Sequence, residues 1–106
     1  MKKSSSSPLG VDLIEIKKAK RFYKSHEDRL DSFFSSREIA YLKESGRPYE
    51  NLAILLASKE AAFKAVPRLG TGLAAFRNAD GIFRKNGLKF SILRHNKYVV
   101  VQCAGI

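Results

Sequence analysis

Two regions of the chain carry the apolar pattern of β-strands. Residues 9–16 are rich in aliphatic side chains and follow Pro8, which favours an extended backbone. Residues 88–92 and 98–103 are two further apolar segments, and a polar stretch at residues 94–97 separates them. The pattern predicts that these last two segments form an antiparallel hairpin.

The middle of the chain carries the pattern of helices. Between residues 49 and 66, apolar positions recur every three or four residues, and Pro67 and Gly70 follow. Residues 17–30 also read as helical, with a second short segment at residues 29–34. Ser35 and Glu38 have the spacing of a capping box, so a further helix is expected from there to about residues 46–48.

These elements predict one α/β (α+β) domain, an antiparallel sheet packed against the long helix at residues 49–66. A chain of 106 residues with 44% hydrophobic residues is long enough for one such domain. We expect residues 9–106 to form the domain. Residues 1–8, with four consecutive serines, are expected to be a flexible lead-in.

Composition excludes several classes of protein. The single cysteine, Cys103, rules out an internal disulfide framework and a cysteine-rich zinc site. No apolar run is long enough for a membrane-spanning helix, and the start lacks the apolar core of a signal peptide. We therefore expect a cytoplasmic protein without a membrane partner. The net charge of +10 favours an acidic partner or further copies of the chain.

Two acidic residues stand in apolar surroundings. Strand alternation places Leu9, Val11 and Leu13 on one face and Asp12 on the other, while Glu60 lies within the apolar helix. Either carboxylate alone has an ordinary explanation, such as capping a neighbour or facing water. Together they can converge on Mg²⁺, which proteins hold with one or two carboxylates plus substrate phosphates and water.

Three cationic or glycine-rich features complete the candidate chemistry. Lys64 lies one turn after Glu60 and can meet phosphates. Gly70-Thr71-Gly72 is either a plain turn or a phosphate-contacting loop. A basic run is either a solvated helix face or a docking surface for an acidic partner. The run contains Lys17, Lys18, Lys20, Arg21 and Lys24.

Several segments resemble one enzyme family. Residues 10–16, Gly-Val-Asp-Leu-Ile-Glu-Ile, are similar to the opening strand of the holo-[acyl-carrier-protein] synthases. Residues 57–65, Ala-Ser-Lys-Glu-Ala-Ala-Phe-Lys-Ala, are similar to their second signature, and residues 33–41 and 70–72 match further stretches in the right order. The chain thus resembles the small-type 4′-phosphopantetheinyl transferases over residues 9–73.

The resemblance implies transfer of 4′-phosphopantetheine from coenzyme A to a serine of acyl carrier protein, with release of adenosine 3′,5′-bisphosphate. It implies that Asp12 and Glu60 bind Mg²⁺ and act in catalysis with Lys64. It makes the basic run the docking element for the acidic carrier protein. It also implies a homotrimer with coenzyme A bound between protomers. The implied coenzyme A contacts are Lys64, Gly70, Thr71, Gly72, Ser91 and Arg94.

The sequence departs from the family after residue 73 and at one helix position. Arg94 stands where the family has a histidine, with His95 one residue later, and Leu55 stands where it commonly has an arginine. The Gly-Lys-Pro segment is absent. Two alternatives to a working transferase are therefore a catalytically degenerate relative that keeps the docking face and, less favoured, a basic nucleic-acid-binding module.

Overall fold

The computed structural model describes residues 9–44, 46–70 and 72–105. Within these ranges, helices pack on one face of an antiparallel sheet, which confirms the predicted α/β (α+β) fold class. The predicted lead-in at residues 1–8 lies outside the described residues.

The described part of the sheet consists of β1 (Leu9–Glu15), β2 (Lys89–Arg94) and β3 (Tyr98–Ala104). The strand order is β1-β3-β2, and both pairs are antiparallel. The β2–β3 pair is the predicted hairpin, with residues 95–97 between its strands. The first strand of the sheet therefore pairs along its whole length with a strand from the far end of the chain.

Helices and 3₁₀ turns fill the chain between β1 and β2. The helices are α1 (Ile16–His26), α2 (Ser36–Glu44), α3 (Pro48–Ala65), α4 (Gly72–Arg77) and α5 (Ala79–Lys85), with 3₁₀ turns at Glu27–Ser32 and Pro67–Leu69. The longest, α3, lies across the sheet and contacts β1, β3 and α1. Local signals explain two helix starts: Pro48 stands at the beginning of α3, and the predicted capping box opens α2.

The prediction of continuous helix over residues 17–30 is wrong for its last four residues, 27–30. Helix α1 ends at His26, and Arg29 has non-helical backbone angles (φ −145°, ψ 37°) inside the 3₁₀ turn. The N–H groups of Phe33 and Phe34 both donate to the carbonyl oxygen of Leu30. The break turns the chain so that the Phe34 side chain becomes fully buried in the core.

The two faces of the sheet have different surroundings. The face towards α3 carries Gly10, Asp12 and Ile14 from β1 and the buried Val99, Val101 and Cys103 from β3. The opposite face, which we name the open sheet face, carries Leu9, Val11 and Leu13 from β1 and Leu93 from β2. These four side chains are 57%, 48%, 55% and 65% exposed. The alternation predicted for β1 is confirmed, and it puts Asp12 on the side of the helix.

Candidate functional site

The close approach of β1 to α3 positions Asp12. Gly10 faces the helix backbone: a Cβ atom there would overlap the carbonyl oxygen of Ala61 and lie 2.7 Å from the nitrogen of Ala65. Only glycine permits this contact. Asp12, two residues further along the strand, points to the same side and reaches the helix with its carboxylate.

Lys64 connects the strand to the helix. Its Nζ donates to Oδ1 of Asp12 at 2.8 Å and to the carbonyl oxygen of Val11 at 3.3 Å. The hydrogen bond to Asp12 and the negative charge of Asp12 raise the pKa of Lys64 above its ordinary value of 10.5, and the charge of Glu60 makes a smaller contribution. Lys64 is therefore protonated at neutral pH and neutralises Asp12. Its side chain is 55% exposed, so solvent screens the pair.

Glu60 lies one turn before Lys64 and borders an apolar cavity of about 370 Å³. Aromatic rings from three elements form the walls: Phe22 from α1, Phe33 from the segment before α2, and Phe76 from α4. The Glu60 side chain thus lies at the rim of an apolar space on one side and acts on the Lys64 ammonium on the other. Its exposed carboxylate is accessible to a ligand in the cavity.

The carboxylates beside Lys64 can hold a hard cation such as Mg²⁺ only if a substrate supplies further oxygen ligands. Among residues 9–44, 46–70 and 72–105, no group of three or more His, Cys, Asp or Glu side chains is arranged to hold a metal ion. The two carboxylates that act on Lys64 are Asp12 and Glu60. Mg²⁺ is commonly held by one or two carboxylates, with phosphate oxygens and water completing the octahedron, so the two residues are compatible with it.

The basic run lies on the solvent side of α1. The core side of this helix carries the buried Ala19 and the half-buried Phe22, Tyr23 and His26. All five predicted docking cations are exposed on the remaining surface. Because Phe22 from the same helix lines the cavity beside Glu60, the basic surface and the cavity are adjacent. The exposed cations are Lys17, Lys18, Lys20, Arg21 and Lys24.

The glycine-rich segment after α3 is only partly a loop. Gly70 and Gly72 have φ angles of +141° and +84°, which favour glycine, and Gly72 is the first residue of α4. Thr71 lies outside the described residues. Gly72 lines the Glu60 cavity, so this segment contributes to the candidate site through backbone rather than through a charged side chain.

Ser91 and Arg94 do not join this cluster. Ser91 is exposed and, with Leu93, Val100 and Gln102, lines a separate cavity. Arg94 donates to Oε2 of Glu50 at 3.4 Å, in the first turn of α3. Since a helix rises 1.5 Å per residue, Glu50 is about 20 Å from Lys64 along the axis.

Leu55 is half-buried and borders a cavity of about 210 Å³ that Arg37, Glu38 and Tyr41 also line. This is the position where the resembled family commonly has an arginine. In this chain, the cation beside the position is Arg37 from the first turn of α2. Sequence reasoning did not single out Arg37, because residues from two helices become neighbours only after folding.

Sequence reasoning also missed the role of Lys59. It noted this lysine on the apolar helix, but the structure buries it to 1% exposure and pairs it with the buried Glu38, Nζ to Oε1 at 2.9 Å. The capping-box spacing identified Glu38 as a helix-start residue only. The spacing signal and the buried lysine are 21 residues apart, and nothing local connects them.

The chain matches known proteins over most of its length. The model of the 4′-phosphopantetheinyl transferase superfamily matches residues 8–102, so the chain belongs to that superfamily. It is 34% identical over 88 residues to the holo-[acyl-carrier-protein] synthase of Moorella thermoacetica, covering 83% of this chain and 67% of that protein. It is 42% identical over 66 residues to the synthase of Chlamydia muridarum, covering 61% and 50%. The matched region is thus only half to two thirds of these relatives' length.

Solved structures support the fold. The holo-[acyl-carrier-protein] synthase of Neisseria meningitidis superposes with a TM-score of 0.75 at 19% identity, covering 93% of this chain and 97% of that chain. The synthase of Bacillus anthracis, in complex with CoA (3′,5′-ADP), superposes with a TM-score of 0.70 at 24% identity, covering 95% and 97%. At these identities the likeness concerns the fold.

One further property concerns membranes. None of the helices in the described part of the chain is both long enough and apolar enough to cross a bilayer.

Proposed function

We propose that the protein transfers 4′-phosphopantetheine from coenzyme A to a serine of apo acyl carrier protein. The observation that carries this proposal is the cluster of Asp12, Lys64 and Glu60 beside an apolar cavity, in a chain whose relatives are holo-[acyl-carrier-protein] synthases. The products are the holo carrier protein and adenosine 3′,5′-bisphosphate. We place the reaction in the cytoplasm.

Asp12 and Glu60 are proposed to hold Mg²⁺ together with oxygens of the coenzyme A diphosphate. Bound there, the cation would neutralise the diphosphate and the charge that develops on the leaving group. Lys64 has three donor hydrogens and stays charged, so it is suited to bind a phosphate oxygen once Asp12 has another partner.

The proposed base for the carrier serine is either the exposed carboxylate of Glu60 or a water molecule that Mg²⁺ would hold beside it. The serine oxygen forms a bond to the β-phosphorus of coenzyme A, and the bridging P–O bond of the diphosphate breaks. The serine proton passes to that base, and the departing adenosine 3′,5′-bisphosphate keeps the electron pair of the broken bond. Phe22, Phe33 and Phe76 form part of the apolar lining of the cavity beside this carboxylate.

The basic side of α1 is proposed to receive the carrier protein. Five exposed cations on one helix, in a chain of net charge +10, attract an acidic partner and accelerate its encounter. Because Phe22 of the same helix lines the Glu60 cavity, a carrier bound there can present its serine to the cluster.

A homotrimer is proposed, with the open sheet face at the contact between copies. Leu9, Val11, Leu13 and Leu93 leave a row of apolar side chains in water, as interaction surfaces do. The separation of Arg94 from Lys64 within one protomer also fits a coenzyme A site shared by two copies. In such an assembly, one copy contributes Ser91, Arg94 and the turn residue His95 to the coenzyme A site of a neighbouring copy.

The proposal is tested by intact-mass spectrometry of apo acyl carrier protein after incubation with this protein, coenzyme A and Mg²⁺. A mass gain of one phosphopantetheine group that disappears with EDTA supports the transferase and its metal. Asp12→Ala and Glu60→Ala should lower the rate about 10²-fold or more, while Asp28→Ala, a change at an exposed acid outside the site, should not.

Two other outcomes would contradict the proposal in different ways. Binding of the carrier without any mass gain identifies a degenerate relative that keeps only the docking face. A preference for duplex DNA over acyl carrier protein at the same salt concentration identifies a nucleic-acid-binding module, because both partners are polyanions and only the preference separates them.

A further inference from the structure

Lys59 is the most deeply buried charged side chain among the described residues, with 1% of its surface exposed. Its Nζ donates to Oε1 of Glu38 at 2.9 Å, to the carbonyl oxygen of Phe33 at 3.0 Å and to the carbonyl oxygen of Phe76 at 2.7 Å. An ammonium group has three hydrogens to donate, so it can serve all three of these acceptors at once. The same nitrogen lies 4.6 Å and 4.7 Å from the ring centres of Phe34 and Phe76.

The acceptors of Lys59 belong to the walls of the Glu60 cavity. Phe33 and Phe76 line that cavity, and their carbonyl oxygens accept hydrogen bonds from Lys59. Phe33 precedes α2 and Phe76 lies in α4, and both segments are distant from Lys59 in sequence. One ammonium group on α3 therefore holds two separate wall segments next to Glu60, which is the following residue of the same helix.

Stability alone is a weak reason for this arrangement. Removing two charges from water costs several kcal/mol, and well-packed apolar residues often replace a buried ion pair without loss of stability. Glu38 Oε1 also accepts the N–H of Ser35 at 2.9 Å, so the buried pair is tied to the start of α2. The directional bonds to two carbonyl oxygens are what an apolar residue at position 59 cannot provide.

We propose that Lys59 is a positioning residue that fixes the backbone of Phe33 and Phe76 and thereby the shape of the cavity beside Glu60. The proposal rests on the proposed transferase function for its kinetic consequence, but its structural part does not. Without Lys59, the two wall segments lose a common hydrogen-bond donor, and α4 becomes locally mobile while the sheet and α3 keep their packing.

The test compares three variants. Lys59→Met removes the donor and keeps the apolar stem. Lys59→Met combined with Glu38→Gln also removes the unpaired buried carboxylate, while the amide oxygen of the new glutamine side chain can still accept the Ser35 N–H. Glu38→Gln alone is the matched control, because it removes the ion pair and leaves both carbonyl bonds of Lys59.

The first measurement is amide hydrogen exchange, which needs no activity. We expect faster exchange across α4, residues 72–77, in both variants that lack Lys59, unchanged exchange in β1 and β3, and near-normal exchange in Glu38→Gln. The double variant should melt close to the wild-type temperature and still show the fast exchange. Wild-type exchange rates in the double variant would overturn the proposal, as would equally fast exchange in Glu38→Gln.

The second measurement is kinetic. In the double variant, kcat/KM for carrier modification should fall about tenfold or more, because small misplacements at a reacting centre have effects of that size, and the Kd for coenzyme A should stay unchanged. Full activity in a double variant that shows fast exchange would overturn the claim that Lys59 supports catalysis through the shape of the cavity. If the wild type transfers nothing, the proposed function fails, and the exchange experiment still decides the structural part.

Discussion

The Nζ atom of Lys64 lies 2.8 Å from Oδ1 of Asp12, so the cation of α3 already neutralises the strand carboxylate that is proposed to bind Mg²⁺. Lysine and metal therefore compete for one carboxylate. The lysine competes from within the molecule, since the contact between β1 and α3 holds it beside Asp12.

Lys64→Met should consequently raise the Mg²⁺ affinity of the free protein by about threefold to tenfold, because the metal no longer displaces an ammonium group. Isothermal titration calorimetry without coenzyme A measures this. Lys97→Met, an equal change of net charge in the β2–β3 turn, is the control and should have little effect. Equal affinities in wild type and Lys64→Met would show that the lysine does not compete.

The same pair predicts a pH dependence of stability. Asp12 raises the pKa of Lys64 in the folded state above 10.5, so the protonated lysine binds more favourably in the folded chain than in the unfolded one. Its contribution is complete below pH 10.5 and is lost as the pH rises through the folded pKa. The difference in free energy of unfolding between wild type and Lys64→Met, from urea titrations, should be constant at about pH 7–9 and shrink above the unfolded pKa. A difference that grows with pH would contradict the assignment.

Gly10→Ala should destabilise the protein by about 2 kcal/mol or more, because the new Cβ would overlap the backbone of α3 at Ala61. It should also separate Asp12 from Lys64. Thermal and urea denaturation measure the loss. Gly81→Ala is a suitable control, since nothing lies within 4 Å of the added atom and alanine favours the helix. Equal stability of the two variants would show that β1 can move away from the helix without cost.

Reversal of Lys17, Lys18 and Arg21 to glutamate should weaken carrier binding at least tenfold in calorimetry and leave the Kd for coenzyme A within about twofold. The three side chains are exposed on α1, whereas the groups proposed to bind the diphosphate lie on β1 and α3. Reversal of Lys43, Lys85 and Lys97 makes the same change in net charge elsewhere on the surface. Equal losses for both triple variants would indicate an effect of net charge rather than a docking face.

Leu13→Glu should shift the protein to a monomer in sedimentation velocity, because it places a charge on the open sheet face. Tyr41→Glu, a change at an exposed aromatic residue on α2, should leave the assembly unchanged. A wild-type protein that sediments as a monomer at high concentration would refute the trimer, whatever the variants do.

Features set by neighbours in sequence were predictable. The Ser35–Glu38 capping box, the β2–β3 hairpin and the long central helix all appear in the structure because each depends on short-range pattern. A second short segment at residues 29–34 was predicted, but the 3₁₀ turn and the non-helical angles of Arg29 were not. No Pro or Gly marks this break, and Phe34, which follows the turn, is fully buried through tertiary packing.

The candidate site also combines contacts that sequence spacing predicts with contacts that form only on folding. Glu60 and Lys64 are four residues apart on one helix, so their proximity could be read from spacing. The bond from Lys64 to Asp12 spans 52 residues and depends on the missing side chain at Gly10. The sequence did not predict that Arg94 lies apart from this group. The structure shows this, because Arg94 donates to Glu50 at the opposite end of α3.

The pairing of β1 with β3 has a consequence for synthesis. Leu9 pairs with Ala104 and Glu15 with Tyr98, so the strand that carries Asp12 has no β3 partner until almost all of these residues have emerged from the ribosome. Closing so long a loop is slow compared with forming the local helices. A nascent chain that stops before residue 98 would therefore carry Asp12 and the basic residues of α1 without the β1–β3 pairing.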